Sequence, residues 1–429
     1  MRLGGRLAAA IEILEDMNAR RRPAADALRD WGVSHRFAGS GDRSAIGNIV
    51  YDALRWRASS RWRFGAETAR AEAFGALASG FGMALATINA ELEGDRFAPD
   101  PLSGDEQSAW EARPLVSAPE HVQAECPDWC APLLAEAFGA DWIAQTRALA
   151  GRPPLDLRVN TLKASPEKVA RALAKADAAP FGGLEGALRI PPVEGHGRHP
   201  NITAEPAFQK GWFEVQDCGS QIVAALAAPD TPGQVFDLCA GGGGKTLALA
   251  ASQGNRGQVH AWDSDKARLA PIFDRLRRAG TRNVQVHAAD ADLSPLEGQM
   301  DLVLVDAPCT GSGTWRRRPD TKWRLTETSL ESRTGEQAGV LDHATRFVRP
   351  GGRIAYVTCS LFPQENTHQV RAFLERHPQY AARDAMAVAD RRLPALAPAM
   401  RPDGHGGLLL APALTGTDGF FLALFERRG

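Results

Sequence analysis

The chain has 429 residues, 44% hydrophobic and 24% charged, the mix of an ordinary globular protein with room for two or three domains. A formal net charge of −1 excludes binding to nucleic acid through overall positive charge, so any such contact must come from a local patch. Six scattered cysteines (Cys126, Cys130, Cys218, Cys239, Cys309 and Cys359) suit a reducing, cytoplasmic compartment better than a disulfide scaffold.

In chain order, residues 1–95 read as all-helical. Leu7, Ile11 and Leu14 share one helical face, and Ile46, Ile49, Val50 and Leu54 repeat at helical spacing after Asp42, a residue type suited to an N-cap. Glu12, Glu15 and Asp16 interrupt any signal-peptide core. The uncharged stretch from Ala73 to Ala90 is rich in Ala and Gly and reads as a buried helix, too weakly apolar for a membrane span. Arg43, Arg55, Arg57, Arg61 and Arg63 suit either a solvated helix face or an RNA-facing one. Prolines at 99, 101, 114, 119 and 127 mark residues 96–130 as a linker. Cys126 and Cys130 lack a second ligand pair, so no metal is expected. Residues 131–228 read as a small α/β subdomain. It has a helix over 131–150, a strand at Leu155, Leu157 and Val159, a helix opened by Ser165-Pro166, and a further region around Leu184 to Ile190.

From residue 229 to 429 apolar strands alternate with helices, which predicts an α/β fold with a doubly wound, mostly parallel Rossmann-like sheet. Val235-Phe236-Asp237-Leu238 is a strand that runs into Cys239-Ala240-Gly241-Gly242-Gly243-Gly244-Lys245 and then a helix, the layout of a nucleotide-type cofactor site. A P-loop would need Gly where Cys239 stands, and no Gly-x-Gly-x-x-Gly can be placed across the turn. Asp263, Asp290 and Asp306 close later strands, where carboxylates reach ribose hydroxyls or a base. Ribose-binding acids without a phosphate clamp favour S-adenosylmethionine over ATP or NAD. Cys309, after Asp306-Ala307-Pro308, and Cys359, between Thr358 and Ser360, fall at strand ends facing the same crevice. A lone cysteine is more often a small buried hydrophobe, but two so placed point to chemistry. The stretch from Trp315 to Arg324 holds Arg316, Arg317, Arg318, Lys322 and Arg324 with two tryptophans, and reads as an RNA contact rather than a solvated loop.

The motifs Asp-Leu-Cys-Ala-Gly-Gly-Gly-Gly-Lys (237–245), Asp-Ala-Pro-Cys-Thr-Gly-Ser-Gly (306–313), Arg-Arg-Arg-Pro-Asp-Thr-Lys-Trp (316–323) and Val-Thr-Cys-Ser-Leu-Phe-Pro-Gln-Glu-Asn (357–366) resemble those of the RNA cytosine-5 methyltransferases, the family of the bacterial small-subunit ribosomal RNA enzyme and the Nop2/Sun-type proteins. Thr417-Asp418-Gly419-Phe420-Phe421 and Leu157-Arg158-Val159-Asn160-Thr161 extend the resemblance over roughly residues 150–429; the N-terminal helices are similar only in kind to a NusB-like RNA-binding domain. One departure is expected at Gly243, where the family usually has Pro. The resemblance implies S-adenosylmethionine as cofactor and RNA, above all ribosomal RNA, as partner, for a monomer with neither metal nor membrane. It implies that Cys359 attacks cytosine C6, that Asp306 holds the base, and that Cys309 helps release the product. Two alternatives stay open: a DNA cytosine-5 methyltransferase with Cys309 as nucleophile, and a non-catalytic RNA-binding assembly factor.

Overall fold

The computed structural model describes all 429 residues and divides into two units. The first comprises Met1–Pro153 together with two later pieces, Pro192–His199 and Thr314–Leu325. The second comprises the rest of the chain.

The first unit is helical. Helices Leu3–Arg20, Ala24–Ser34, Ser40–Arg55, Arg57–Phe64 and Ala69–Gly75 bury one stripe each around Leu7, Ile13, Leu14, Ile46, Ile49, Val50, Phe74 and Leu77. Asp42 lies in the first turn of its helix instead of capping it, and accepts from Arg6 at 2.8 Å and from the N-terminal amine at 3.0 Å. The Ala/Gly stretch is not one helix. It continues from Gly75 as wider π-helical turns over Ala76–Gly80, breaks at Gly82 with φ +69°, and resumes as Leu85–Leu92 at a bend of 118°. No single helix is long and apolar enough to cross a membrane.

Residues 96–130 are not a free linker. Ser103 and Glu106 form a capping box on helix Gly104–Ala112, and Leu102 and Trp110 are buried in the same core. Of the arginines expected on a solvated or RNA-facing surface, Arg43 is exposed, and the other four work inside the unit. Arg57 and Arg61 both bind the buried Glu72 at 2.8 Å through Nε, and Arg63 lies 3.8 Å over the Trp110 ring. Arg55 bonds Asp52 and the carbonyl of Arg316. Such staples form because each guanidinium donates to several acceptors at once.

Lys322, 2% exposed, is buried in this unit with its Nζ 4.8 Å over the Trp323 ring. Burial pushes its ammonium down to about 8, opposed chiefly by the charge of Glu125. Glu125 is itself buried and accepts from Ala58 N and Ser59 N at the start of helix Arg57–Phe64. Lys322→Met leaves that carboxylate without its neighbouring charge. The expected loss is about 3 kcal/mol, read by urea unfolding under tryptophan fluorescence.

The second unit holds two sheets. Strands β1 (Leu155–Val159), β2 (Ala179–Pro180), β3 (Ala187–Ile190) and β4 (Phe213–Val215) form an antiparallel sheet in the order β2-β3-β1-β4. Helix Pro166–Ala172, capped by Ser165, closes its core of Leu157, Val159, Val169, Leu188 and Phe213.

The larger sheet has β5 (Gln234–Asp237), β6 (Gln258–Ala261), β7 (Val284–Val286), β8 (Met300–Asp306), β9 (Val348–Thr358), β10 (Tyr380–Arg383), β11 (Met400–Pro402), β12 (Leu408–Leu410) and β13 (Phe420–Arg427). Its order is β11-β12-β13-β9-β8-β5-β6-β7, with β10 on β13. Strands β5 to β9 pair in parallel and β10 to β13 add antiparallel, so the sheet is the expected mostly parallel, Rossmann-like one. Strand β5 lies between β6 and β8, which makes its carboxyl end the point where strand order reverses and where open α/β sheets bind ligands.

Candidate active site

The glycine loop leaves β5 at that switch point. Gly241 has φ +48° and Gly243 φ +79°, both in the left-handed region that favours glycine. Gly243 therefore cannot be the proline position expected from the resemblance, because a proline ring holds φ near −65°. Gly242, between them, lies outside the left-handed region. A Cβ on Gly243 would stand 2.4 Å from Ile272 Cγ1, whereas one on Gly242 would meet only the tip of Arg275 at 3.3 Å. Gly243→Ala should cost about 2–3 kcal/mol and Gly242→Ala under about 1, a contrast that thermal melts of the two variants will show.

The loop is tied at several points. Asp263, just beyond β6 and 2% exposed, accepts from Gly241 N and Asp265 N, both at 2.9 Å. Arg275 donates to the carbonyl of Gly242 at 2.6 Å. Lys245, in the first turn of helix Gly244–Ser252, donates to Asp306 Oδ2 at 2.7 Å and lies 5.2 Å from the Phe420 ring. Between β5 and the glycines, Ala240 is buried and Cys239 half-buried, and burial pushes the Cys239 thiol well up. Asp290 is exposed, beyond β7.

Asp306 closes β8, and Thr358 closes its neighbour β9. The chain beyond each carries a cysteine, and the parallel pairing sets them side by side: Cys309 Sγ and Cys359 Sγ are 3.3 Å apart. Gly313 N donates to the carbonyl of Cys359 at 2.9 Å, which fixes one loop against the other. The hydrogen bond to Cys359, then burial, raise the Cys309 thiol well above its ordinary range. The two thiols share one hydrogen bond, in which either sulfur can be the donor. The Asp306 side chain stays 35% exposed, so one of its edges is open while Lys245 holds the other.

The model of the 16S rRNA methyltransferases RsmB/F matches residues 224–426, and that of their ferredoxin-like domain matches residues 126–190. A probable ribosomal RNA small subunit methyltransferase B of Synechocystis is 34% identical over 60% of this chain and 58% of its own length. The ribosomal RNA small subunit methyltransferase B of Cronobacter sakazakii is 32% identical over 69% and 65%. This chain belongs to the RsmB/F family. It spans about three fifths of the length of these curated relatives. A crystal structure of a methyltransferase homolog from Pyrococcus horikoshii superposes with TM-score 0.57 at 25% identity, over 72% of this chain and 97% of the other.

In this RsmB/F-family chain the basic stretch after Gly313 does not form one charged face. Helix Pro319–Arg324 and the turn before it pack within the first unit: Trp315 and Arg316 are buried, and Trp323 Nε1 donates to the carbonyl of Leu54 at 2.7 Å. Lys322 is buried and Arg317 half-buried. Only Arg318 and Arg324 of the five are exposed, and Arg324 is paired with Asp320 at 3.0 Å. Charge type alone does not say which residues of a run face water, and here the tryptophans draw the segment inward.

Several residues at the site carried no sequence expectation of their own. Asp237 ends β5 fully buried, accepts from Thr246 Oγ1 at 2.6 Å, and is pushed up to about 7 chiefly by burial. An acid at the carboxyl end of the first parallel strand was the available signal. Arg275 offered none, because its partners lie far away in the chain.

Proposed function

We propose that the chain is an S-adenosylmethionine-dependent methyltransferase that modifies C5 of cytosine in RNA, with small-subunit ribosomal RNA as substrate. The observation that carries this is the pair of thiols 3.3 Å apart, standing at adjacent strand ends with Asp306 and Lys245 beside the glycine loop. The residues fit the cofactor. Gly241 and Gly243 keep the loop free of side chains, and the buried Asp263 presents a carboxylate suited to a ribose diol. When bound, S-adenosylmethionine supplies an electrophilic methyl group.

The chain's own groups would do the rest. Cys359 adds to C6 of the cytosine, which makes C5 nucleophilic. Asp306, its charge balanced by Lys245, accepts from the exocyclic amino group, and from N3–H once the adduct is protonated there, and so orients the ring. After methylation the C5 proton passes to a solvent base, its electron pair restores the C5–C6 double bond, and the C6–S pair leaves with the Cys359 sulfur. Cys309 assists this release by hydrogen bonding to the departing sulfur. The target base must leave any stack to reach these groups, and the exposed Arg318 and Arg324 are suited to the phosphates around it. Free thiols at this centre suit the reducing cytoplasm.

The test is incubation of the purified chain with S-adenosylmethionine and a 16S rRNA transcript, followed by nucleoside mass spectrometry. The expected product is 5-methylcytosine at a single position. Methylation of DNA alone, or of no nucleic acid at all, overturns the reading in favour of a DNA enzyme or an assembly factor.

A further inference from the structure

Cys309 is held from both sides by a buried pair of side chains that the motif reading leaves without a task. Glu365, in the short turn Pro363–Glu365, and Gln337, in helix Glu327–Ala344, are both 0% exposed. Gln337 Nε2 donates to the carbonyl of Pro308, on one flank of Cys309, at 2.9 Å, and to Glu365 Oε1 at 2.9 Å. On the other flank, Thr310 N donates to Glu365 Oε1 at 2.8 Å and Thr310 Oγ1 to Glu365 Oε2 at 2.5 Å. The Thr310 hydroxyl also lies 3.4 Å from Ser360 Oγ, next to Cys359. Glu365 is fixed in turn by Tyr356, whose hydroxyl donates to its carbonyl at 2.6 Å.

We propose that Glu365, with Gln337, is a positioning residue for the reaction: it clamps the Cys309 loop and ties it to the Cys359 loop, so that Cys309 stands on the sulfur that must depart. The inference rests on the function proposed above. A buried carboxylate is costly unless its acceptors are used, and a turn could be anchored by a neutral amide. Here both oxygens are used, by a backbone N–H, a hydroxyl and an amide, all three bearing on the residues that flank Cys309. A glutamine at 365 can offer only one acceptor oxygen, so the clamp must lose a bond there. The carboxylate also acts through its charge. After the hydrogen bond to Cys359, burial and the charge of Cys359, the charge of Glu365 adds to the rise of the Cys309 thiol. Removing that charge lowers the pH at which Cys309 ionises.

Two measurements on the full-length chain test this with Glu365→Gln. The first is the pH profile of Cys309 alkylation by iodoacetamide, read at low conversion by mass spectrometry and needing no RNA. The clamp predicts a shift to lower pH by about half a unit or more. The second is single-turnover reaction with a 16S rRNA transcript, where methyl transfer persists and the covalent protein–RNA adduct accumulates at least about fivefold over wild type. Thr310→Val removes one donor, changes little volume, and should move both readouts in the same direction by less. This variant decides the matter if Glu365→Gln does not fold. An alkylation profile unchanged in the variants, with no added adduct, overturns the inference. If the wild-type chain methylates no RNA, the proposed function falls, while the alkylation profile still decides whether Glu365 acts on Cys309.

Discussion

On the proposed function, Cys359→Ala is expected to abolish methyl transfer, with a loss of at least about 10⁴-fold in turnover, the scale seen when a covalent nucleophile is removed. Cytosine C5 does not attack a methyl group unaided, so hydrogen bonds from the rest of the site cannot replace the thiolate. The substitution is also expected to be structurally mild. Cys359 is half-buried beyond β9, and its carbonyl is held by Gly313 N, a bond that does not involve the sulfur. Binding of 16S rRNA and of S-adenosylmethionine should therefore stay within about threefold of wild type, which separates lost chemistry from lost folding. Filter binding together with methyl incorporation on one preparation checks both halves. Full activity in this variant would remove Cys359 from the reaction.

The second large effect has a different form. On the proposed mechanism, Cys309→Ala is expected to leave the attack of Cys359 and the first methylation in place but to stall the chain on its product. Each molecule turns over about once and remains as a covalent adduct that survives denaturing gel electrophoresis. The geometry gives the reason. On the mechanism proposed above, negative charge gathers on the Cys359 sulfur as its bond to C6 breaks, and the Cys309 thiol at 3.3 Å is the group placed to meet it. Alanine offers no proton there. A burst of one methyl per enzyme, with adduct of equal amount, is the expected record. Steady multiple turnover without adduct would show that release does not pass through Cys309.

The parallel half of the larger sheet was legible because four of its five strands are apolar runs closed by a carboxylate or a small polar residue: Asp237, Asp263, Asp306 and Thr358 all mark strand ends or the residues just beyond them. Of the antiparallel extension only β13 was legible, as the late apolar run from Phe420 to Phe425. Strands β11 and β12 have three residues each, and Leu408, Leu409 and Leu410 are all buried, so no alternation separates them from a loop. At the site, the residue types could be read from the motifs but their pairing could not. Lys245 meets Asp306, and Cys309 meets Cys359, only because β5, β8 and β9 lie side by side. The basic stretch misled for a related reason. Arg316 and Lys322 have the composition of a phosphate contact, yet the buried Trp315 and the bond from Trp323 to Leu54 turn them inward.

The helical unit is assembled from pieces of chain that are far apart in sequence, and this bears on the order in which a ribosome delivers them. When residue 153 has emerged, the carbonyl of Leu54 still lacks Trp323, the side chain of Arg55 still lacks the carbonyl of Arg316, and Glu125 has no Lys322 beside it. Those partners are synthesised only after the glycine loop, β6, β7 and β8. The amino-terminal helices must therefore persist as an open, incompletely bonded intermediate for more than a third of translation, at about 5–20 residues per second. The last segment they wait for is the one that immediately follows the Cys309 loop.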